Sequence, residues 1–381
     1  MSLTAAVALF IIMVALALIG LDGWRTMTAR ATQLAATETA ATNLARSLAQ
    51  HADDIFKQAD GELVDMVERL ETDGTGPEAL ERLHRLLVAR AADLPQLSGL
   101  FIYDESGRWL ATSLPVTPPN LNNSDRNYFR FHRDHAGTAP HISAPIVSRS
   151  GGGWIVPLSR RFDHPDGSFA GVVLATLSTR YFQNFYDTFD VGRDGSIVLF
   201  VDDATTLVRH PYIEANIGKN LASGALFHDH LPLAPVGSFE NTAFFDGVQR
   251  LLSYRHLDRF PLVISVSLGK EEALAGWRRD TQAHLIGVLA LVGVLGFVGF
   301  RLLRSIGRVV AAERRAAAAT EEAQAIGTHY RLLADNSSDM VGRIGLDGIR
   351  HYISPACRTL LGYEPEELIG RSALAVVHPD D

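Results

Sequence analysis

Cysteine is almost absent from this sequence, since only one of 381 residues, Cys357, is a cysteine. A single thiol cannot form a disulfide within the chain, which excludes a small secreted scaffold held together by disulfide bonds. Every folded region must therefore be stabilised by burial of apolar side chains, and a chain of this length is long enough for more than one core.

Signatures of common enzyme classes are also absent. The sequence has no Gly-x-Ser-x-Gly, Gly-x-x-x-x-Gly-Lys or His-Glu-x-x-His motif, which disfavours serine hydrolases, P-loop proteins and zinc proteases. Its 43 acidic residues outnumber its 35 lysines and arginines, and the resulting net charge of −8 does not suit nucleic acid. We expect no catalytic residue and no nucleic-acid partner in these 381 residues.

Two groups of histidines raise the alternative of a metal site. The candidate ligands are His132, Asp134, His135 and His141 in one group, and His228, Asp229 and His230 in the other. Spacing alone is a weak signal, because a zinc site needs three or four converging ligands that are themselves held by hydrogen bonds. The sequence therefore predicts neither a metal nor another cofactor.

Two long apolar runs are present, and they are separated by about 260 residues. The first, Leu3 to Leu21, is long enough to cross a bilayer, and the second, Leu285 to Phe300, becomes so when its flanks are included. We predict membrane spans over 1–21 and 283–303. A cleaved signal peptide is the alternative for the first run, but no lysine or arginine precedes it and the helical pattern continues beyond it.

Basic residues are concentrated directly after the second run. They are Arg301, Arg304, Arg308, Arg314 and Arg315, against Arg278 and Arg279 on its other side. Cytoplasmic flanks are enriched in arginine and lysine, so the C-terminal side is predicted to be cytoplasmic and residues 22–282 to lie outside the cytoplasm.

The pattern of residues 22–282 predicts an α+β fold. Apolar positions at threes and fours indicate a long helix over 25–72, and Pro77 opens a second helix through Leu87. Alternating apolar segments separated by turns then predict two antiparallel-sheet lobes, a distal one at about 77–185 and a proximal one at about 190–270. In the distal lobe we predict a loop over 115–124, a turn over 150–152, and strands that include Ile142–Ser148 and Phe169–Ser178. A last helix, Glu271 to Asp280, leads into the second span.

Several motifs within these lobes resemble double Cache sensor domains, which consist of two tandem PAS-like modules. In the distal lobe the motifs are DRNYFRFH (125–132), ISAP (142–145), GWI (153–155), SRR (159–161) and DGSFAGVVL (166–174). In the proximal lobe they are His210-Pro211, Ile217-Gly218, Phe245–Gly247 and Phe260–Leu262. The resemblance implies a bacterial receptor in the inner membrane, with a periplasmic distal lobe that binds a small molecule and a signal that passes through the long helix.

A pocket for a small carboxylate or amino acid is expected where segment 125–132 faces the neighbouring strands. Arginine can bind a carboxylate through two parallel charge-assisted hydrogen bonds. The predicted ligand-binding residues are Arg126, Tyr128, His132, Arg149, Trp154, Ser159 and Arg160. The alternative is structural: Asp125 and Arg126 form an internal ion pair, while Tyr128, Phe129 and Trp154 belong to the core.

A heptad pattern over 304–329, with a seam that includes Val309, Ala312, Ala316 and Ile326, predicts a parallel coiled coil and hence a homodimer, with a single solvated helix as the alternative. From 330 onward the sequence resembles the first half of a PAS domain. The matching segments are YRLLADNSSDMV (330–341), Asp347-Gly348, YISPA (352–356), LGYEPEELIG (361–370) and HPDD (378–381). We expect a fragment or truncated product of a longer signalling protein. Its output is expected to be a diguanylate cyclase, with a histidine kinase, a chemoreceptor and a catalytically silent membrane scaffold as alternatives.

Overall fold

The computed structural model describes residues 3–115, 121–151, 153–242 and 247–377. Residues 116–120 of the loop expected over 115–124, Gly152 of the expected turn, part of the 245–247 motif and the 378–381 motif lie outside these residues. Contacts within the chain define two compact units, one of residues 22–285 and one of residues 1–21 and 286–381. The larger unit contains both large sheets.

A single helix, α1, runs without a break from Leu3 to Asp73 and confirms the long N-terminal helix. It ends at Gly74, which has a φ of +71° and donates its backbone N–H to the Leu70 carbonyl at 3.0 Å. This left-handed C-terminal glycine is a common way to terminate a helix. The next helix, α2 (Pro77–Asp93), begins with proline, whose missing N–H costs nothing there, and it extends beyond the predicted end at Leu87.

The distal sheet is antiparallel, with strand order β2-β1-β6-β5-β3 and β4 also paired to β5. Its strands are β1 (Leu97–Asp104), β2 (Trp109–Thr112), β3 (His141–Ile142), β4 (Ile146–Val147), β5 (Trp154–Asp163) and β6 (Phe169–Ser178). The strand predicted over Ile142–Ser148 is divided into β3 and β4. Pro145 lies between them, and proline has no N–H to donate to a neighbouring strand.

Two short helices in the distal lobe were not predicted. Helix α3 (Asn127–Asp134) begins within segment 125–132, for which no helix was predicted, and α4 (Thr179–Tyr186) follows β6. Each has eight residues, and so few turns do not establish a clear apolar period. In α3 the side chains of Tyr128, Phe129 and His132 are buried.

The proximal sheet has the order β8-β7-β11-β10-β9, the same connectivity as the distal sheet. Its strands are β7 (Ser196–Val201), β8 (Thr206–His210), β9 (Val236–Thr242), β10 (Gln249–His256) and β11 (Leu262–Gly269). A 3-10 helix (Glu214–Asn216) and a π-helical turn (Leu226–His230) connect β8 to β9. These two lobes confirm the predicted α+β fold.

The main core of the larger unit lies between α1, α2 and one face of both sheets. Leu48, Phe56 and Leu63 of α1 are fully buried in it, together with strand residues such as Leu100 and Leu199. The Phe56 ring lies 6.2 Å from that of Phe182 and 5.7 Å from that of Phe260, so both lobes share this cluster. The other face of each sheet packs against its own covering segment.

In the smaller unit, α1 and α6 (Ala275–Asp335) supply the apolar segments, whose mean hydropathy reaches 2.8 and 2.3. Gly299 is buried against Ile11, where a larger side chain would collide with the isoleucine.

The helix predicted over Glu271–Asp280 is divided into α5 (Lys270–Ala273) and the start of α6. After α6 come β12 (Gly342–Ile344), β13 (Arg350–Ile353), α7 (Cys357–Leu361), α8 (Pro365–Leu368) and a 3-10 helix (Ala373–Val376).

Candidate functional site

A small cavity lies on the face of the distal sheet that is turned away from α1, beneath the N-terminal end of α3. Alternation along β1 directs Phe101 and Tyr103 towards this face, while Leu100 and Ile102 face the main core. The cavity volume is about 20 Å³. That is room for about one water molecule, so a ligand requires outward movement of the covering segments.

Aromatic side chains form the wall of the cavity. The Phe101 and Tyr103 rings lie 5.1 and 5.8 Å from the Trp109 ring, and the Tyr103 and Tyr128 rings are 6.2 Å apart. Burial raises the pKa of both tyrosine hydroxyls above 10, so both are protonated at neutral pH. The Asn123 amide donates to the Tyr128 hydroxyl at 2.6 Å, which fixes the position of the phenol.

Arg149 is held by an ion pair at the rim of the cavity. Its two terminal nitrogens donate to the two Asp125 carboxylate oxygens at 2.8 and 2.7 Å, and it also donates to the Asn122 carbonyl at 2.6 Å. Hydrogen bonding from Arg149 lowers the pKa of Asp125. The expected alternative partner of Asp125 was Arg126, but the structure pairs this carboxylate with Arg149 instead.

Arg126, the residue preceding α3, also lines the cavity, but it is only partly satisfied. One terminal nitrogen donates to the Val147 carbonyl at 3.2 Å, whereas Nε is buried without an acceptor among the described residues. A buried donor without a partner is costly, and a guanidinium N–H is a strong donor for a carboxylate. The cavity thus combines a cationic donor with an aromatic wall.

His132 and Ser159 lie further along the same face of the sheet and do not line the cavity. His132 Nε2 and the Ser159 hydroxyl are 3.0 Å apart, and the Nδ1 atom of this fully buried histidine has no partner among the described residues. Burial is the main cause that lowers the pKa of His132 to about 4, so the ring is neutral at neutral pH. This pair ties α3 to β5.

Arg160 and Trp154 are placed away from the cavity. Arg160 lies on the opposite face of β5, where Nε and Nη2 donate to the Asp60 carboxylate of α1 at 2.6 and 2.8 Å. Trp154 begins β5, and its carbonyl accepts from the Thr179 hydroxyl at 2.9 Å. Of the seven predicted residues, the structure therefore brings Arg126, Tyr128 and Arg149 together around the cavity.

Sequence analysis missed Tyr103, Trp109 and Asn123 as cavity residues. Alternate aromatic residues at Phe101 and Tyr103 were an available signal, because they must share one face of a strand. Asn123 had no comparable signal. Within the described parts of the chain, no three histidine, cysteine or acidic side chains converge as metal ligands.

Known proteins with sequence and structural similarity to this chain include sensor domains. A family profile described as dCache_1-like, histidine kinase sensor domain, matches residues 179–267. The extracellular domain of rpHK1S-Z16, a protein described as a histidine kinase, is 40% identical to this chain. The alignment covers 64% of this chain and 99% of that domain, with a TM-score of 0.58.

More distant similarities are also found. The ligand-binding domain of the Pseudomonas fluorescens chemoreceptor CtaA, solved with L-isoleucine, is 18% identical, with 65% of this chain and 98% of that chain covered and a TM-score of 0.47. Among curated proteins, the blue light receptor lreA of Aspergillus flavus is 43% identical over 51 residues, which are 13% of this chain. White collar 1 protein of Neurospora crassa is 37% identical over 51 residues. The chain spans only 6% and 4% of these two curated relatives.

Proposed function

This chain belongs to the dCache_1-like family of sensor domains of histidine kinases and chemoreceptors, and on that premise we propose that it is a transmembrane receptor for a small carboxylate-bearing molecule such as an amino acid. The ligand binds in the distal lobe, between α3 and the outer face of the sheet. The predicted division into sensor, spans, linker and PAS-like segment is part of this proposal.

The observation that carries the ligand class is the buried Nε of Arg126, for which the described residues supply no acceptor. A ligand carboxylate would give this buried donor its missing acceptor, while the apolar part of the ligand would contact Tyr103, Trp109 and Tyr128. Arg149 is already neutralised by Asp125 and serves to hold the rim. Because the cavity volume is about 20 Å³, binding must displace α3 or the segment around β4 outward.

Ligand binding is tested by thermal unfolding of the soluble unit, residues 22–285, in a screen of amino acids and other small carboxylates. A ligand that binds only the folded state adds RT ln(1 + [L]/Kd) to the free energy of unfolding. The unfolding temperature therefore rises. Arg126→Gln is expected to abolish this gain without loss of fold. The matched control is Arg130→Gln, which removes the same charge from the exposed side of α3. Equal loss in both variants would refute the role of Arg126.

The topology is a second part of the proposal. Five arginines follow the second apolar run, which supports a cytoplasmic C-terminal side and a periplasmic sensor in the inner membrane. An alkaline phosphatase reporter fused after Leu268 should be active, and one fused after Arg315 should be inactive. The reverse pattern would contradict this orientation.

The output is proposed to be a histidine kinase, because both the family profile and the 40% identical domain carry that description. A diguanylate cyclase is the second candidate, on the resemblance noted in the sequence. Incubation of the full-length protein with ATP or GTP separates them: the first predicts a phosphohistidine and the second cyclic di-GMP. If neither phosphohistidine nor cyclic di-GMP forms, the result favours the silent scaffold.

A homodimer is proposed through the linker, 304–329. Val309 and Ile326 there are 55% and 50% exposed in the single chain. A parallel partner would cover them. Cysteines introduced at Ala312 and Ala316 of the predicted seam should crosslink two copies in membranes, whereas cysteine at Glu313 should crosslink poorly.

A further inference from the structure

The larger unit has a second cleft, at the ends of the two apolar runs. It lies between α1, just after Leu21, and α6, just before Leu285, and its volume is about 280 Å³. If these runs span the membrane, as the proposed function requires, the cleft lies at the level of the lipid headgroups. Trp24 next to it is 68% exposed, as expected of an interfacial tryptophan.

Ionisable side chains of both signs line this cleft. Asp22 and Arg25 come from one face of α1, and Asp280 and His284 from one face of α6, since residues three and four apart on a helix are neighbours. None of these four side chains has a hydrogen bond or ion pair with another described residue. By contrast, Arg278 of α6, which does not line the cleft, pairs with Glu271.

The two helices are joined here by hydrogen bonds that do not use these charges. Trp277 Nε1 donates to the Thr26 carbonyl at 3.1 Å, and Gln33 donates to the Ala273 carbonyl at 3.3 Å. The charged groups are therefore not needed to hold the helices together. Their presence in a cleft at the membrane surface indicates a partner that carries complementary charges.

We propose that this cleft binds the headgroup of a phospholipid with a primary ammonium, namely phosphatidylethanolamine. The phosphate matches the Arg25 guanidinium, which can donate two parallel hydrogen bonds to it. The ammonium, with three N–H donors, matches the carboxylates of Asp22 and Asp280. A purely anionic ligand would face these two carboxylates, and a choline headgroup has no N–H to donate to them.

The test uses the full chain in nanodiscs of mixed phosphatidylethanolamine and phosphatidylcholine, with retained lipid identified by native mass spectrometry. We expect preferential retention of phosphatidylethanolamine. Asp280→Asn should reduce this preference about ten-fold, the effect of losing one charge-assisted hydrogen bond to the ammonium. Arg25→Gln should instead reduce the retention of both lipids, because both carry the phosphate. Arg279→Gln is the matched control, because Arg279 adjoins Asp280 but does not line the cleft.

Equal retention of both lipids by the unaltered chain would overturn the proposal, as would an equal loss in the Arg279→Gln control, which would indicate general interfacial charge. Free phosphoethanolamine in excess should not displace the lipid, since the acyl chains hold it in the bilayer; displacement would point to a soluble ligand instead. A chain that fails to enter nanodiscs would contradict the membrane receptor itself, whereas insertion without lipid preference would contradict only the headgroup site.

Discussion

The distal and proximal lobes have the same strand order, yet the face of each sheet that α1 leaves free is covered differently. In the distal lobe, α3 and the residue before it bring Tyr128 and Arg126 over the sheet, around a polar cavity. In the proximal lobe, the turn Leu226–His230 packs Leu226 and Phe227 onto Phe200 and neighbouring apolar residues. The strand order therefore does not determine which lobe has a cavity with charged side chains in its lining; the covering segment does.

The lobes also differ in how they are joined to α1. The distal sheet contacts it through the Arg160–Asp60 ion pair, whose side chains are 17% and 19% exposed. The proximal sheet uses weaker contacts: the Thr42 hydroxyl lies 3.4 and 3.2 Å from those of Ser238 and Ser253. The proximal lobe also has an ion pair with α1, between Arg259 and Asp53 at 3.6 Å, but the Arg259 side chain is 54% exposed and water screens this pair more than the distal one.

The largest expected effect concerns the apolar cover of the proximal lobe. Phe200→Ala removes a ring that is 4% exposed and contacts Phe227 at 5.2 Å, so it should lower the free energy of unfolding by about 3–5 kcal/mol. Urea unfolding of residues 22–285 measures this. Leu233→Ala, at an 85% exposed position, should change it by less than about 0.5 kcal/mol. Ligand affinity should not change, and a loss of affinity with the fold intact would place the site in the wrong lobe.

A pH dependence specific to the distal lobe follows from His132. Its pKa is about 4 when folded and near 6.5 when unfolded, so the unfolded state takes up a proton first as the pH falls. The contribution of His132 to the free energy of unfolding is therefore complete above pH 6.5 and is lost as the pH falls to about 4. The loss is on the order of 3 kcal/mol. The neighbouring His141, Arg161 and Arg160 also lower the pKa of His132, because positive charge nearby disfavours the protonated ring.

His132→Gln should flatten the pH dependence of unfolding over this range, as measured by urea unfolding at several pH values. Some slope should remain, because burial also lowers the pKa of His141. An unchanged slope in the variant would show that His132 is solvated in solution.

The ion pair between the distal sheet and α1 is expected to have the next largest effect. Asp60→Asn leaves Arg160 without its counter-charge and should destabilise the unit by about 2–3 kcal/mol in urea unfolding. Asp65→Asn on the same helix breaks the exposed pair with Arg69 and should cost less than about 1 kcal/mol. Combining Asp60→Leu with Arg160→Met should restore most of the stability; if it does not, the residues contribute by more than their charges.

The smallest effect compares one tyrosine in each lobe. Tyr128→Phe removes the hydroxyl that accepts from Asn123, and Tyr254→Phe removes the one that donates to the Ala234 carbonyl at 3.0 Å. Each should reduce stability by about 1 kcal/mol. Only Tyr128→Phe should also weaken ligand binding, measured by isothermal titration. Equal effects of the two variants on affinity would argue against a site confined to the distal lobe.

Much of the fold could be predicted because its signals are periodic and long. The threes and fours along 25–72 indicated α1, and β6 was predicted with the bounds that the structure has, Phe169–Ser178. The eight-residue helix α3 was missed, because two turns give too little periodicity and its buried residues include the polar His132. That miss affected the site directly, since α3 positions Tyr128.

The sequence by itself determined the two apolar runs, the α+β class and the choice of Arg126, Tyr128 and Arg149 as candidate residues, because these depend on residue type and local spacing. Only the tertiary structure decided that Arg149 pairs with Asp125, that Arg160 faces Asp60 rather than the cavity, and that Arg126 Nε has no acceptor within the described part of the chain. Asp60 and Arg160 are 100 residues apart, and the direction of a strand side chain depends on register and on what covers each face. These properties arise from packing between distant segments, which local spacing does not encode.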